Sequence, residues 1–182
     1  MNHPTADWVR LDAVLAQIAP ANGFVMGIDP GLNGALTLYH PESSHLIVFD
    51  MPVVEVKVGK ALKRRVDLYQ LGNWIDVHRS MCRVAIIEDV TSSPQMGVAS
   101  AFSFGFSAGA VESAVAANAI PLRKVRPVDW KSSFGLLRQE KDASRQVASR
   151  IAPQWAHHWP LKKNCDRAEA FLLAYWGSKN VA

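Results

Sequence analysis

The hydrophobic pattern near the start of the chain predicts three strands in close succession. Short apolar segments cover 24–29, 34–40 and 45–50, and turn-forming glycines and a proline separate them. A meander is the expected arrangement. Two further strands are predicted at 83–88, the most apolar of the five, and at 120–126.

Helical spacing of apolar residues predicts most of the remaining elements. The predicted helices cover 6–19, 66–79, 98–118, 142–151 and 165–178, with a short helical piece that starts at Pro127. The segment 52–65 shows no clear period and is assigned to no element. The first helix precedes the fold, so we interpret 1–22 as an N-terminal helical extension and 23–182 as one domain. The order βββαβαβαα predicts an α/β fold, a five-stranded mixed sheet flanked by helices.

Composition narrows the class of protein. The chain has 182 residues, of which 49% are hydrophobic, enough for a single buried core. Its formal charge is +4 and its pI is near 9.2, which permits a nucleic-acid partner without requiring one. Two cysteines, Cys82 and Cys165, make neither a disulfide framework nor a zinc motif. Without a signal-peptide core or an 18-residue apolar run, we expect a soluble cytoplasmic protein that does not associate with a membrane.

Four acidic residues lie at the ends of predicted strands or at the start of a predicted helix. Asp29 and Glu88 end two predicted strands, and Asp166 and Glu169 stand three residues apart at the start of the last helix, on one face of its first turn. If the two strands are neighbours in the sheet, that helical face can close over their ends. Oxygen ligands of this kind suit Mg²⁺, and two ions about 3.5–4 Å apart can promote phosphodiester hydrolysis.

Each acid also has an ordinary structural interpretation. An Asp before Pro-Gly is often a turn former, and acids in the first turn of a helix often interact with the free amides and the helix dipole. Taken together, however, carboxylates that converge at one sheet edge repel one another unless a cation is present. The set therefore predicts a carboxylate metal site that holds two Mg²⁺ ions.

Basic residues concentrate in two segments. The first segment, 57–65, has five basic residues in nine positions and no acid: Lys57, Lys60, Lys63, Arg64 and Arg65. The second, 123–145, has seven basic residues against three acidic ones, and its candidates for DNA contact are Arg126, Trp130, Lys131 and Lys141. Such patches supply sequence-independent affinity for phosphate, although a solvated surface is the alternative. Lys131 and Lys141 could also approach a scissile phosphate near the acids, which makes Lys141 a catalytic candidate.

Several apolar and small residues admit two interpretations. The indole of Trp130 could stack on a base or anchor the short helix to the sheet. Phe102, Phe104 and Phe106 are expected to be core residues at the start of the long helix, although one of them could contact DNA. Gly105 and Gly109 allow close packing, for which contact with the sheet is the simpler cause and contact with a second copy the alternative.

The acidic motifs resemble those of a known family. Ile28-Asp29-Pro30-Gly31, Ile87-Glu88 and Asp166-Arg167-Ala168-Glu169-Ala170 match, in order and spacing, the three acidic motifs of the RuvC-type Holliday-junction resolvases. The chain looks like the compact form frequent in bacteriophages and prophages, because Pro127-Val128-Asp129-Trp130-Lys131 and then Lys141 are similar to the phage-type basic pattern.

The resemblance covers about 24–178 and carries several implications. It implies an RNase H-like fold, a homodimer, Mg²⁺ or Mn²⁺ held by the four acids, and paired nicks across a four-way DNA junction. Two positions depart from the pattern. Glu169 stands where related enzymes often have Asp or His, and Thr91 stands where related bacterial enzymes have an aromatic wedge.

Two other functions compete with junction resolution. An RNase H-like enzyme of the YqgF type, which acts on RNA, would share the first Asp and the late acids but is usually shorter and lacks the Trp-Lys segment. A nucleotide-binding domain of the ATPase and sugar-kinase superfamily also uses a strand followed by Asp-x-Gly. That class needs two such domains and a second glycine-rich phosphate loop, which this chain lacks.

Overall fold

A computed structural model describes residues 23–89, 91 and 95–181. The predicted helix at 6–19 and the proposed extension at 1–22 lie outside the described residues.

The main sheet has the predicted five strands. They are β1 (Phe24–Asp29), β2 (Ala35–Tyr39), β3 (Leu46–Asp50), β6 (Cys82–Glu88) and β7 (Leu122–Val125). Their order across the sheet is β3-β2-β1-β6-β7, so the first three form the expected antiparallel meander. β1 and β6 pair in parallel, with Ile28 opposite Ile87. Because these parallel neighbours end together, Asp29 and Glu88 leave the sheet at the same edge.

A second, two-stranded sheet corrects the assignment of 52–65. It is a hairpin of β4 (Val53–Val58) and β5 (Ala61–Val66). The two-residue turn between them starts at Gly59, whose φ of +63° lies in the region that favours glycine. Both strands are largely exposed. Strands are usually recognised in a sequence by apolar residues at every second position, which form a buried face, and this hairpin has no such face. The alternation of valine with Glu55 and Lys57 was a strand signal that the sequence interpretation missed.

In the described part of the chain, five helices cover the faces of the main sheet, close to the predicted positions. They are α1 (Leu68–His78), α2 (Val98–Ala117), α3 (Pro127–Ser133), α4 (Asp142–Ile151) and α5 (Cys165–Asn180). Short 3₁₀ segments cover Arg79–Met81, Pro153–His158 and Lys162–Asn164. One core cluster lies under α1 and α2, and a second lies between the opposite face of the sheet and α3 to α5. The architecture is therefore the predicted mixed sheet flanked by helices.

Helix α5 lies unusually close to the central strands. A Cβ at Gly27 of β1 would come 2.0 Å from the Ala170 carbonyl oxygen and 2.5 Å from the Ala174 nitrogen. A Cβ at Gly177 would come 2.4 Å from the Ile86 side chain. Glycine at these two positions thus permits the close approach, and the first turn of α5 lies near the ends of β1 and β6 as a result.

Helix α2 is more exposed than expected. The side chains of Phe102 and Phe106 are exposed, so the interpretation of these two residues as core is wrong. A Cβ at Gly105 or Gly109 would meet nothing within 4 Å, which excludes close sheet packing as the reason for these glycines. By length and composition alone α2 could also cross a membrane, which by itself is weak support for a membrane location.

Candidate active site

The turn after β1 orients the first acid. The Gly31 amide donates to Asp29 Oδ1 over 3.2 Å, and the Gly34 amide closes the turn by donating to the Gly31 carbonyl over 2.8 Å. A Cβ at Gly34 would lie 2.1 Å from the Asp29 carbonyl oxygen, so this tight turn needs glycine there. The carboxylate of Asp29 is thereby held at the sheet edge.

All four predicted acids line one cavity of about 530 Å³. Asp29 and Glu88 reach it from the ends of β1 and β6, and Asp166 and Glu169 reach it from the first turn of α5. The two α5 acids are buried, with 8% and 6% of their surface exposed. Phe104, the turn after β1 and residues of the loop before α4 form other parts of the wall. The prediction that the four acids converge is therefore confirmed, because all four line the same cavity.

Two lysine ammonium groups lie among these carboxylates. Lys131 Nζ is 3.8 Å from Glu88 Oε1 and 3.5 Å from Glu169 Oε2. Lys141 Nζ forms an ion pair with Asp166 Oδ1. The lysines thus place positive charge among the four acids. Their approach to a scissile phosphate stays a prediction.

The carboxylates do not stand in a ready-made coordination shell. Within the described residues, no group of three or more His, Cys, Asp or Glu side chains has the geometry to hold a metal ion. The Lys131 ammonium lies between Glu88 and Glu169 and balances part of their charge. The donor set, four carboxylates around an open cavity, nevertheless suits a hard divalent cation.

Burial and mutual repulsion disfavour negative charge in the cavity. Burial, followed by repulsion from Asp166, raises the pKa of Asp29 to about 7, although the Gly31 amide opposes the shift. Burial also raises the pKa of Glu88, against the opposing effects of Lys131 and of a hydrogen bond from Trp130. A bound cation would relieve this repulsion, so the electrostatics of the cavity fit a metal site.

The chain was compared with known proteins by sequence and by structure, and only the structural comparison found similar proteins. No family model and no curated protein matches the chain. Among solved structures, RuvC from Thermus thermophilus superposes with a TM-score of 0.50 at 19% sequence identity, over 86% of this chain and 95% of that one. The chain has a RuvC-like fold. A structure of T. thermophilus RuvC in complex with a Holliday junction substrate has a TM-score of 0.49 at 18% identity, with the same coverage.

Within this RuvC-like fold, Trp130 is a packing residue. Its side chain on α3 is completely buried, and its indole Nε1 donates to Glu88 Oε1 over 3.0 Å. A buried indole cannot stack on a base, so the assignment of Trp130 to DNA contact is wrong and the alternative, an anchor for α3, is correct. Arg126, just before this helix, is exposed and forms a two-bond ion pair with Asp129.

The basic residues of the hairpin separate into two groups. Lys57, Lys60 and Lys63 are exposed. Arg64 donates to Asn33 Oδ1 over 2.9 Å and to the Leu32 carbonyl over 3.1 Å, so it contacts the turn that follows Asp29.

Arg65 lies on the other face of β5. Its guanidinium is 5.7 Å from the centre of the Phe106 ring on α2. The sequence separates both arginines widely from every candidate acid, but the fold brings Arg64 beside the acidic cavity and leaves Arg65 away from it.

Three contributors to the site were missed by sequence reasoning. Lys162 and Lys163 line a second groove of about 660 Å³, which shares Asn33, Lys141 and Asp166 with the acidic cavity. A basic pair directly before the late acids was a signal that could have revealed them.

Ser144, on α4, is buried and donates to Glu169 Oε1 over 2.8 Å. No sequence signal identifies this residue, because the hydrogen bond joins side chains 25 positions apart.

Proposed function

We propose that this protein is a metal-dependent endonuclease that cuts branched DNA, and that it resolves four-way junctions by paired symmetric nicks. The observation that carries the proposal is the convergence of four carboxylates and two lysines in one cavity at the edge of a RuvC-like sheet. Burial and repulsion between like charges disfavour a group of ionised carboxylates, so such a group is more typical of a functional site than of a purely structural one. The resemblance of the acidic motifs to the compact phage and prophage resolvases supports the same proposal.

In this proposal the acids are the metal ligands. Asp29, Glu88, Asp166 and Glu169 would hold two Mg²⁺ ions, and Mn²⁺ would substitute. When bound, such ions stabilise charge at the scissile phosphate and lower the pKa of a water. The carboxylates of α5 are buried against the sheet, which keeps them ordered for this task.

The two lysines would have different roles, and Lys141 would act on the scissile phosphate. The side chain of Lys141 is 61% exposed although it pairs with Asp166, so its ammonium can turn to the substrate without leaving a buried position. A preorganised ammonium beside the scissile phosphate stabilises the charge that develops there. Lys131 is less exposed and lies deeper, between Glu88 and Glu169. We assign it to balancing the acids before a cation binds.

A basic surface continues from the cavity and would bind the DNA backbone. The groove next to the cavity is lined by Arg64, Lys141, Lys162 and Lys163. Because the groove and the cavity share Asp166 and Asn33, a strand lying in it would have a phosphate beside the acids. The exposed lysines of the hairpin, Lys57, Lys60 and Lys63, would extend the contact.

A substrate panel tests this function. Purified protein is incubated with a labelled mobile four-way junction, a fork, a linear duplex and an RNA–DNA hybrid, with Mg²⁺ and with EDTA. We expect paired, metal-dependent nicks in the junction and little cutting of the duplex. Cleavage of the hybrid alone would instead assign the chain to RNA, as the YqgF-type interpretation predicts.

A further inference from the structure

Among the described residues, two neutral side chains donate hydrogen bonds to the candidate metal ligands. Ser144 Oγ donates to Glu169 Oε1 over 2.8 Å, and Trp130 Nε1 donates to Glu88 Oε1 over 3.0 Å. Only 3% of the surface of Ser144 and none of the surface of Trp130 is exposed. Neither residue is a metal-ligand candidate, and each contacts one of the two glutamates rather than an aspartate.

There is a physical reason why the glutamates, rather than the aspartates, are held by these side-chain hydrogen bonds. A glutamate has one more rotatable bond than an aspartate and loses more conformational freedom when it is ordered. A hydrogen bond to one carboxylate oxygen fixes the orientation of the group and leaves the other oxygen available. In Glu169 the other oxygen, Oε2, is the one that lies 3.5 Å from the Lys131 ammonium.

The two donors come from different elements, each anchored by packing. Trp130 belongs to α3 and packs in the core cluster on the α5 side of the sheet. Ser144 stands in the first turn of α4, which packs against the same cluster through Val147 and Ala148. Their positions therefore depend on the folded core and not on mobile side chains.

We propose that Ser144 and Trp130 are positioning residues that hold Glu169 and Glu88 in the orientation needed to bind the divalent cation. This inference rests on the metal site of the proposed function and goes beyond it, because it assigns roles to two residues that touch neither the metal nor the DNA. Residues that orient metal ligands through a hydrogen bond typically change metal affinity by about 10- to 100-fold when they are replaced.

The test measures metal binding without DNA. Mn²⁺ is titrated into the full chain by calorimetry for the wild type, Ser144→Ala, Ser144→Cys and Trp130→Phe. Cysteine keeps the shape of serine but is a weak donor, and phenylalanine removes the indole N–H while keeping an aromatic ring. The control is Ser149→Ala on the same helix, because the Ser149 hydroxyl donates to the Arg145 carbonyl and accepts from Trp159, away from the acids.

We expect Ser144→Ala and Ser144→Cys to weaken Mn²⁺ binding by about tenfold, and Trp130→Phe by a similar factor. Ser149→Ala should bind Mn²⁺ as the wild type does, even if its melting temperature falls. Wild-type affinity in both Ser144 variants, or an equal loss in the Ser149 control, would overturn the inference. Because no DNA is cut, Ser144-dependent Mn²⁺ binding by a protein that failed on every branched substrate would support the inference while refuting the proposed function.

Discussion

At the scale of single residues, the acidic cavity gathers carboxyl groups whose ionisation opposes stability. Burial and repulsion raise the pKa of Asp29 to about 7 and also raise the pKa of Glu88. A carboxyl group with a raised pKa holds its proton more tightly in the folded state than in the unfolded state. The metal-free protein therefore loses stability as these groups ionise, and under the proposed function a bound cation would offset that loss.

The first prediction follows from the sign of the Asp29 shift. Its pKa rises from 3.8 to about 7 on folding, so its contribution to stability is fully present below pH 3.8 and is lost as the pH rises through about 7. A shift of this size corresponds to at most about 4 kcal/mol. In EDTA, Asp29→Asn should therefore be more stable than the wild type at pH 8 but not at pH 4. Urea unfolding at several pH values measures the difference, and a difference that did not change with pH would contradict the prediction.

The second prediction concerns Lys141. If its ammonium stabilises charge at the scissile phosphate, Lys141→Ala should lower the single-turnover nicking rate at saturating DNA by about 10²-fold. Junction affinity should fall only modestly, because one phosphate contact is lost. Quenched-flow or gel kinetics beside a binding titration separates the two effects. If Lys141→Ala lowered junction affinity but not the nicking rate, Lys141 would contribute to DNA binding and not to catalysis.

At the scale of elements, the hairpin of β4 and β5 changes the interpretation of the basic patch. Sequence distance suggests that Arg64 and Arg65 act alike and far from the acids. In the fold, Arg64 contacts the turn after Asp29 and Arg65 lies over Phe106 on α2. One strand thus carries an arginine beside the site and another directed away from it, as the alternation of side chains along a strand requires.

The third prediction separates these two arginines. Arg65→Ala should weaken binding to all DNA forms and lower the salt slope by about one unit, with turnover at saturating DNA unchanged. Arg64→Ala should weaken binding too, but should also slow turnover because the turn that carries Asp29 loses two hydrogen bonds. Single-turnover rates and a salt titration of both variants make the comparison. Equal effects on turnover would show that the contact with the turn has no role in catalysis.

The same element shows what the sequence could and could not predict. The five main strands, the described helices and the convergence of the acids follow from apolar patterning and from the position of each acid at the end of an element. The hairpin was missed because its strands bury little surface. The contacts of Arg64 and Ser144 join residues 31 and 25 positions from their partners, and the pattern of one chain contains no information on such pairs.

At the scale of the whole molecule, α2 exposes apolar surface that no other described element covers. Val98 and Phe102 are 88% and 70% exposed, and Gly105 and Gly109 face open space. The groove beside them, between α1 and α2, is lined mostly by apolar and small residues. A homodimer through α2 would bury this surface and would supply the second active site that two symmetric cuts require.

The fourth prediction tests this interface. Gly109→Glu places a charged side chain on the exposed face of α2 and should convert a dimer to a monomer at micromolar concentration, with nicking of one strand retained and paired cutting lost. Gln154→Glu adds the same charge at an exposed position in the 3₁₀ segment on the α5 side of the sheet and should leave the dimer intact. Light scattering gives the mass of each. A wild-type monomer that resolved junctions fully would contradict the dimer.

Single-turnover cleavage of a labelled four-way junction in Mg²⁺ by the four amide variants, beside junction binding in EDTA, tests whether the acidic cavity is the metal site of a nuclease. Asp29→Asn, Glu88→Gln, Asp166→Asn and Glu169→Gln each keep the shape of the acid and remove its charge. We expect each variant to lose at least about 10²-fold in rate, while it still folds and binds the junction as tightly as the wild type or more tightly. If any two of the four cut at the wild-type rate under the same metal concentration, the cavity is not the metal site of a nuclease.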